Sequence, residues 1–182
     1  RSRLADKNRR DPAWADLMRR EGALGRAAAH PNVVGVLDAG EADDEPFLVL
    51  EYVDGVDLWR VQRALQHTMR RMEAPLACHV VRELLAGIGH IHGMRGGDGH
   101  GLIHRDVSPS NVFLSLHGDV KLGDLGIALE ARPSAAPTSG SVPGARLEPV
   151  QVTGAQRGKL GYMASEQLLG QAVDHRIDLF AA

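Results

Sequence analysis

The chain of 182 residues is 43% hydrophobic and 24% charged, which suits one globular domain with a sizeable core. Its net charge of −2 and its aromatic content of 4% argue against a nucleic-acid partner, which would require a basic surface or a platform for base stacking. No apolar run approaches the roughly 18 residues of a membrane span, and no signal peptide is visible.

The first elements predicted along the chain are a helix and a β-hairpin. Asp11-Pro12 is typical of a helix start, and His30-Pro31 should end that helix because the residue before proline disfavours the helical conformation. Two apolar runs, VVGVLDAG and FLVLEYV, then predict antiparallel strands around the acidic turn EADDEP.

Two further helices are predicted in the middle of the chain. The first runs from Leu58 to about Leu65, and Pro75 opens a longer one whose apolar residues recur at helical spacing. Cys78 lies on the longer helix, and we expect it to be a small core residue. Because it is the only cysteine, it excludes an internal disulfide and favours a reducing compartment.

Three short strands, GLI, NVFL and VKLGD, are predicted next. Residues 131–152 are rich in proline, alanine, serine and glycine and lack periodicity, so we expect a mobile surface segment there. A last helix is predicted to begin near Ser165.

Three oxygen-bearing side chains stand beside these strands. The stretch HRDVSPSN carries Asp106 and Asn111 on one polar loop, and Asp124 follows the strand VKLG. Amide and carboxylate oxygens are hard ligands, which Mg2+ bound to phosphate oxygens prefers. Asp106 could also orient a hydroxyl nucleophile and accept its proton.

HRDVSPSN resembles the catalytic loop of the eukaryotic-like (Hanks-type) serine/threonine protein kinases, of the bacterial type. Asp124-Leu125-Gly126 and GYMASEQL resemble the two ends of that family's activation segment. The resemblance implies an α+β, two-lobed protein-kinase fold truncated at both ends, with residues 1–53 as a partial N-lobe and residues 54–182 as a partial C-lobe. It also implies transfer of the ATP γ-phosphate to a Ser or Thr hydroxyl of a protein substrate, with Mg2+.

The resemblance assigns roles in the catalytic loop and at the metal site to four residues. Asp106 would be the catalytic base, and Asn111 and Asp124 would hold Mg2+. Asp178 matches the buried aspartate that fixes the backbone of the catalytic loop.

The segment LVLEYVDGVDL resembles the hinge, where the nucleotide binds. The backbones of Glu51 and Val53 would bond adenine. Leu50 would be the gatekeeper, and Asp57 would lie near the ribose. Glu21 matches the glutamate that pairs with the ATP-binding lysine.

Two positions depart from the family's pattern together. Ser108 stands where the family has a lysine that contacts the transferring phosphate, and Lys159 stands where it has a threonine that contacts this lysine. One hypothesis is a positional swap, in which Lys159 becomes a catalytic residue that reaches Asp106 and the γ-phosphate. The alternative is that Lys159 is a solvated surface residue and Ser108 weakens the enzyme.

Three other positions concern packing and regulation. Gly25 falls where the family has a bulky apolar residue, so we expect a hole there unless Leu24 fills it. Arg105, the residue before the catalytic aspartate, usually pairs with a phosphorylated residue in this family, and Thr153 is the first candidate for that phosphate.

Four histidines, His90, His92, His100 and His104, fit no zinc-binding pattern. His104 belongs to the catalytic-loop motif, and the others are expected at the surface or at helix ends.

Two alternatives remain open at this point. A pseudokinase, acting as a nucleotide-binding or scaffolding module, is favoured by Ser108 and Gly25 and opposed by the retained Asp106, Asn111 and Asp124. A small-molecule phosphotransferase is disfavoured by the long activation segment.

The chain shows no glycine-rich loop or ATP-binding lysine before Glu21, so we expect this piece alone to be inactive. We expect a cytoplasmic location, either of the whole protein or of the cytosolic part of a membrane-anchored kinase.

Overall fold

A computed structural model of the chain describes residues 25–42, 45–95, 101–124, 129–130 and 160–182. The predicted helix start at Asp11 and the segment 131–152 lie outside the described residues. Residues 25–27 are helical and the helix has ended before His30-Pro31, as the proline predicts.

The predicted hairpin is confirmed. Strand β1 (Val36–Ala42) pairs antiparallel with β2 (Glu45–Leu50), and Ala39 lies opposite Leu48. The register shifts between Val36 and Asp38, where the strand begins.

A second sheet has the strand order β3-β5-β6 and is antiparallel throughout. Its strands are β3 (Gly55–Asp57), β5 (Val112–Ser115) and β6 (Val120–Leu122). The predicted strands NVFL and VKLGD are therefore confirmed, the first shifted by one residue and the second two residues shorter. Strand β4 (Leu102–Ile103) pairs with β7 (Leu129–Glu130). Asp57 lies opposite Phe113, which brings the end of β3 within two residues of Asn111.

The two middle helices are also confirmed. The first spans Leu58–His67 and begins at Asp57, whose Oδ1 accepts a hydrogen bond of 2.8 Å from Arg60 N. The second spans Ala74–Gly93 with Pro75 in its first turn. It buries one stripe at helical spacing, composed of Val80, Leu84, Ile88 and Ile91.

This apolar stripe packs against the second sheet and forms the main core with residues such as Val112, Val120 and Leu122. The chain just before β1 lies along β6, because Val34 N donates to Leu122 O (2.9 Å) and Leu122 N donates to Asn32 O (2.9 Å). The core therefore joins the first hairpin's entry, the long helix and the strand that leads to Asp124.

Cys78 is exposed, so the prediction that it is a core residue is wrong. With 3.6 residues per turn, Cys78 lies about 200° around the helix from Val80 and therefore faces away from the buried stripe.

The expected hole at Gly25 is also absent. Gly25 is buried, and a Cβ at this position would overlap Cγ2 of Val36. The volume that a larger side chain would occupy is filled from β1, so Gly25 and Val36 form a close-packed pair; Leu24 lies outside the described residues.

The end of the chain forms two short helices, Ser165–Leu168 and Arg176–Ala181, and the first begins where it was predicted. A second apolar cluster contains Ile103, Ala164 and Ile177, which anchors the last helix beside β4. In the part of the chain that the structure describes, no helix has both the length and the apolar character needed to cross a membrane.

Candidate active site

The loop that follows β4 is fixed by a carboxylate from the last helix. Asp178 is 1% exposed; its Oδ2 accepts from His104 N and its Oδ1 accepts from Arg105 N, both at 2.8 Å. Arg105 has a φ of 67°, a left-handed conformation that is costly for a large side chain and that the bond to Asp178 stabilises. The prediction that Asp178 fixes this loop's backbone is confirmed.

Asp106 and Asn111 are brought together at opposite ends of this loop. Asn111 Nδ2 donates to Asp106 O (2.8 Å) and to Asp106 Oδ2 (2.9 Å). Asn111 is 6% exposed and ends the short turn Pro109–Asn111, so its amide has little freedom to rotate. Because the amide nitrogen faces Asp106, the amide oxygen is directed away from that carboxylate and can serve as a ligand.

His104 links the same loop to the end of β6. Its ring is completely buried; Nδ1 accepts from Asp106 N (3.3 Å), and Nε2 therefore carries the hydrogen and donates to Gly123 O (3.1 Å). Burial lowers the pKa of His104 against the opposing effect of nearby carboxylates, chiefly Asp178. A neutral His104 thus holds the backbone of Asp106 and the residue before Asp124 at a fixed separation.

Asp124 follows β6 on the exposed side of this arrangement. Gly123, the residue between β6 and Asp124, donates from its N–H to Asn111 O (2.8 Å), so Asp124 directly follows a residue bonded to Asn111. Its φ of 62° is left-handed, a conformation that aspartate tolerates better than most residues, and the residue is exposed. Asp124 is therefore an exposed residue directly after the backbone bond between Gly123 and Asn111; Leu125 lies outside the described residues.

The donor set suits a hard cation that is shared with phosphate. Mg2+ is commonly held by one or two protein oxygens together with phosphate oxygens and water, and Asn111 and Asp124 offer an amide and a carboxylate. Within the described ranges no three His, Cys, Asp or Glu residues are grouped to hold a metal ion. A cation that takes most of its ligands from phosphate and water needs no such group.

Ser108 contributes no charge to the site. It is 3% exposed, and its Oγ lies 3.0 Å from Ser110 Oγ. Lys159, the residue predicted to replace the missing ammonium, lies outside the described residues, as do Glu21 and Thr153.

The residues predicted to bind the nucleotide follow β2 and β3. Glu51 N donates to Gly35 O (2.8 Å), and the Glu51 carboxylate forms an ion pair with Lys121. Val53 is partly buried, and Leu50 is 50% exposed. Asp57 caps the Leu58–His67 helix, which contacts the Pro109–Asn111 turn, so the predicted ribose-binding side chain is fixed beside that turn.

Arg105 has an unusual environment. Its backbone oxygen accepts from Gln167 Nε2 (2.8 Å), whereas its Nε atom is buried and has no hydrogen-bond partner among the described residues. Since a buried N–H without an acceptor is costly, this atom is suited to an anionic partner that the described residues do not supply.

Sequence reasoning missed three contacts at this site. His92 lies in the last turn of the Ala74–Gly93 helix, as one of the two expected placements has it, but its side chain is largely buried and its Nε2 lies 2.7 Å from Asp178 Oδ2, a contact that the sequence did not indicate. The contacts of Gln167 with Arg105 and of Lys121 with Glu51 were also missed. The partners are 62 to 86 residues apart, and no local pattern indicates such pairs. His90 stacks on His30, with ring centroids 4.7 Å apart.

Comparison with known proteins gives one consistent family. The protein kinase domain profile matches residues 3–182. The chain is 32% identical over 173 residues to tyrosine-protein kinase MasK of Myxococcus xanthus, and 35% identical over 176 residues to serine/threonine-protein kinase PknB of Mycolicibacterium smegmatis and of Mycobacterium tuberculosis. Each alignment covers 94% of this chain and 25% of the relative, so the chain spans about a quarter of the length of these curated relatives.

Proposed function

The chain belongs to the protein kinase domain family and has its α+β fold, and from this premise we propose that the protein transfers the γ-phosphate of ATP to Ser or Thr hydroxyls of a protein substrate. The observation that carries the proposal is the pair formed by Asp106 and Asn111 on a loop anchored by Asp178. We further propose that residues 1–53 belong to the N-lobe and residues 54–182 to the C-lobe.

Asp106 is the proposed catalytic base. Its carboxylate is oriented by Asn111 Nδ2, so it can accept a hydrogen bond from the substrate hydroxyl and take its proton during transfer. Asn111 Oδ1 and Asp124 would hold Mg2+, which supplies positive charge to the phosphate oxygens when it is bound.

The nucleotide is proposed to lie against the segment after β2. The backbones of Glu51 and Val53 would bond adenine, with Leu50 as the gatekeeper. Asp57 would accept a hydrogen bond from a ribose hydroxyl with the lone pairs that its contacts with Arg60 N and Arg60 Nε leave available. Glu21 is proposed as the partner of an ATP-binding lysine.

Lys159 is proposed to supply the cation that the catalytic loop lacks. The buried position of Ser108, with its hydroxyl turned to Ser110, supports a source of positive charge elsewhere in the site. The regulatory proposal is that Arg105 binds a phosphate on Thr153, and it is supported by the buried Arg105 Nε, for which the described part of the chain provides no acceptor.

The choice of Ser or Thr over Tyr rests on sequence. Pro109 follows Ser108 within the catalytic loop, as in the Lys-Pro pair of serine/threonine kinases, and PknB is named a serine/threonine kinase, although MasK is named a tyrosine kinase. The pseudokinase alternative is not favoured, because the similar proteins are named as kinases and Asp106, Asn111 and Asp124 are all retained. We propose a cytoplasmic site of action, where ATP is available.

The function is tested with the full-length protein, radiolabelled ATP and Mg2+. We expect labelled phosphoserine or phosphothreonine in a general protein substrate, and loss of transfer by a factor of about 1,000 or more in Asp106→Asn, since proton acceptance and orientation act on the same step. The matched control is Asp119→Asn, which changes an exposed aspartate in the β5–β6 turn. Phosphotyrosine as the product would overturn the Ser/Thr assignment, and undiminished transfer in Asp106→Asn would overturn the mechanism.

A further inference from the structure

Lys121 and Glu51 form a partly buried ion pair between two distant parts of the chain. Lys121 Nζ lies 2.8 Å from Glu51 Oε1 and 3.0 Å from Glu51 Oε2, so it contacts both carboxylate oxygens. The two side chains are 15% and 32% exposed, respectively. Lys121 belongs to β6, three residues before Asp124, and Glu51 directly follows β2.

Glu51 also holds the backbone of Gly35 from two directions. Glu51 N donates to Gly35 O (2.8 Å), and Gly35 N donates to Glu51 Oε2 (3.1 Å). The neighbouring residue Val34 donates from its own N–H to Leu122 O, next to Lys121 in the chain. A closed ring of contacts therefore connects β6, the entry to β1 and the residue after β2.

The charge state of Glu51 agrees with this geometry. Burial alone would raise the pKa of Glu51, but the hydrogen bonds from Lys121 and from Gly35 N outweigh it and leave the pKa below its ordinary value. The carboxylate is thus ionised at neutral pH and dependent on Lys121 for most of its compensation.

We infer that Lys121 is a positioning residue for nucleotide binding, acting through Glu51. The inference rests on the proposed function, in which the backbones of Glu51 and Val53 bond adenine while Asp124 holds the cation on the phosphates. The ion pair fixes the adenine-binding segment relative to the strand that carries Asp124. It therefore sets the distance between the two ends of the nucleotide site.

A merely structural ion pair would behave differently. Exposed pairs contribute about 1 kcal/mol or less to stability, and removing one should leave ligand affinity unchanged. The Glu51 carboxylate instead binds both Lys121 Nζ and Gly35 N. Glu51 also belongs to the segment that is proposed to contact adenine. Loss of the Lys121 ammonium should loosen the segment that contains Glu51 and Val53 before it affects the Asp106 loop, because that loop is held separately by Asp178.

The test uses the full-length protein and measures the Kd of fluorescently labelled ADP with Mg2+, the KM for ATP, kcat and the thermal midpoint. Lys121→Met and Glu51→Gln should each weaken nucleotide binding and raise KM for ATP at least about fivefold, the lower end of typical coupling between sites. Glu51→Gln keeps an acceptor for Gly35 N, so it isolates the charge. The double variant should be no worse than either single variant, and Lys121→Arg should retain the affinity of the unaltered protein. In Lys121→Met, kcat at saturating ATP should stay within about twofold.

The control variant is Arg26→Met, which breaks an exposed ion pair with Asp38 (3.5 Å; side chains 51% and 67% exposed) and should leave the Kd unchanged. An unchanged Kd in Lys121→Met, or a loss confined to the thermal midpoint, would overturn the inference while leaving the kinase proposal intact. Nucleotide binding that weakens in Lys121→Met in a protein that transfers no phosphate would support the inference and overturn the proposed function. No nucleotide binding by the unaltered protein would overturn both.

Discussion

The carboxylate of Asp178 binds the backbone N–H groups of His104 and Arg105 and the ring of His92 at the same time. Asp178 lies 73 residues or more beyond these partners, so the last described helix determines the geometry of the loop that carries Asp106. Because the carboxylate is buried, these contacts supply the hydrogen bonds that compensate for its removal from water.

Asp178→Asn should therefore destabilise the protein by about 3 kcal/mol, since an amide supplies one acceptor oxygen and presents an N–H group to donors. Urea unfolding measures the change. Asp119→Asn serves as the control, because this exposed aspartate accepts a hydrogen bond from Ser115 Oγ that contributes about 1 kcal/mol or less. Equal midpoints for the two variants would show that Asp178 does not anchor the loop.

The free energy of unfolding should decrease as the pH is lowered below about 6.5. Burial lowers the pKa of His104 from 6.5, and burial together with His90 lowers the pKa of His30. In the unfolded chain these rings take up protons as the pH falls through 6.5, whereas in the folded chain they do so only at lower pH. The unfolded state then binds more protons, so the free energy of unfolding decreases from pH 6.5 down to the folded pKa values.

Urea unfolding at pH 7.5, 6.5 and 5.5 checks this slope. His104→Gln should flatten it, whereas His117→Gln, which alters an exposed histidine in the β5–β6 turn, should retain it. A folded His104→Gln protein with the original slope would exclude His104 as the source.

Lys159→Thr should reduce kcat about 100-fold if Lys159 replaces the missing catalytic-loop lysine, because charge stabilisation at the transferring phosphate is a large catalytic contribution. Adding Ser108→Lys to that variant should restore part of the rate by returning the ammonium to the loop. Lys7→Thr, in the polar stretch ADKNRRDP, is the control. Unchanged phosphoryl transfer in Lys159→Thr would remove the swap.

Thr153→Ala and Arg105→Gln should each lower activity about tenfold and should not be additive, since a charge-assisted hydrogen bond contributes about 1.5–3 kcal/mol. Thr138→Ala, in the same segment, is the matched control. Phosphopeptide mapping of the active protein should find Thr153 modified; an unmodified Thr153 would contradict the regulatory proposal.

Local patterns in the sequence predicted the elements well because their causes are local. The apolar stripe of the Ala74–Gly93 helix, the β1–β2 hairpin and the helix start at Ser165 follow from spacing and turn residues. Cys78 was wrongly predicted to lie in the core because it is only two residues from the buried Val80, which on a helix places it about 200° away, on the exposed face. Gly25 was misjudged because the side chain that fills its space, Val36, comes from another element.

The sequence indicates the candidate site residues more directly than the contacts that support them. The motif containing Asp106 and Asn111 lies within one loop, so the sequence indicates the pair directly. The supports provided by His92 and Lys121 depend on contacts over 86 and 70 residues, which only tertiary packing determines. The roles assigned to the site residues remain predictions, and Glu21, Lys159 and Thr153 also lie outside the described residues.

The most direct test of the central claim is a crystal structure of the full-length protein with a non-hydrolysable ATP analogue and Mn2+, located by its anomalous scattering. Our account predicts one cation within about 2.2 Å of Asn111 Oδ1 and of an Asp124 oxygen, with the Asp106 carboxylate facing the γ-phosphate. A cation bound elsewhere, with Asn111 and Asp124 directed away from the nucleotide, would contradict the account.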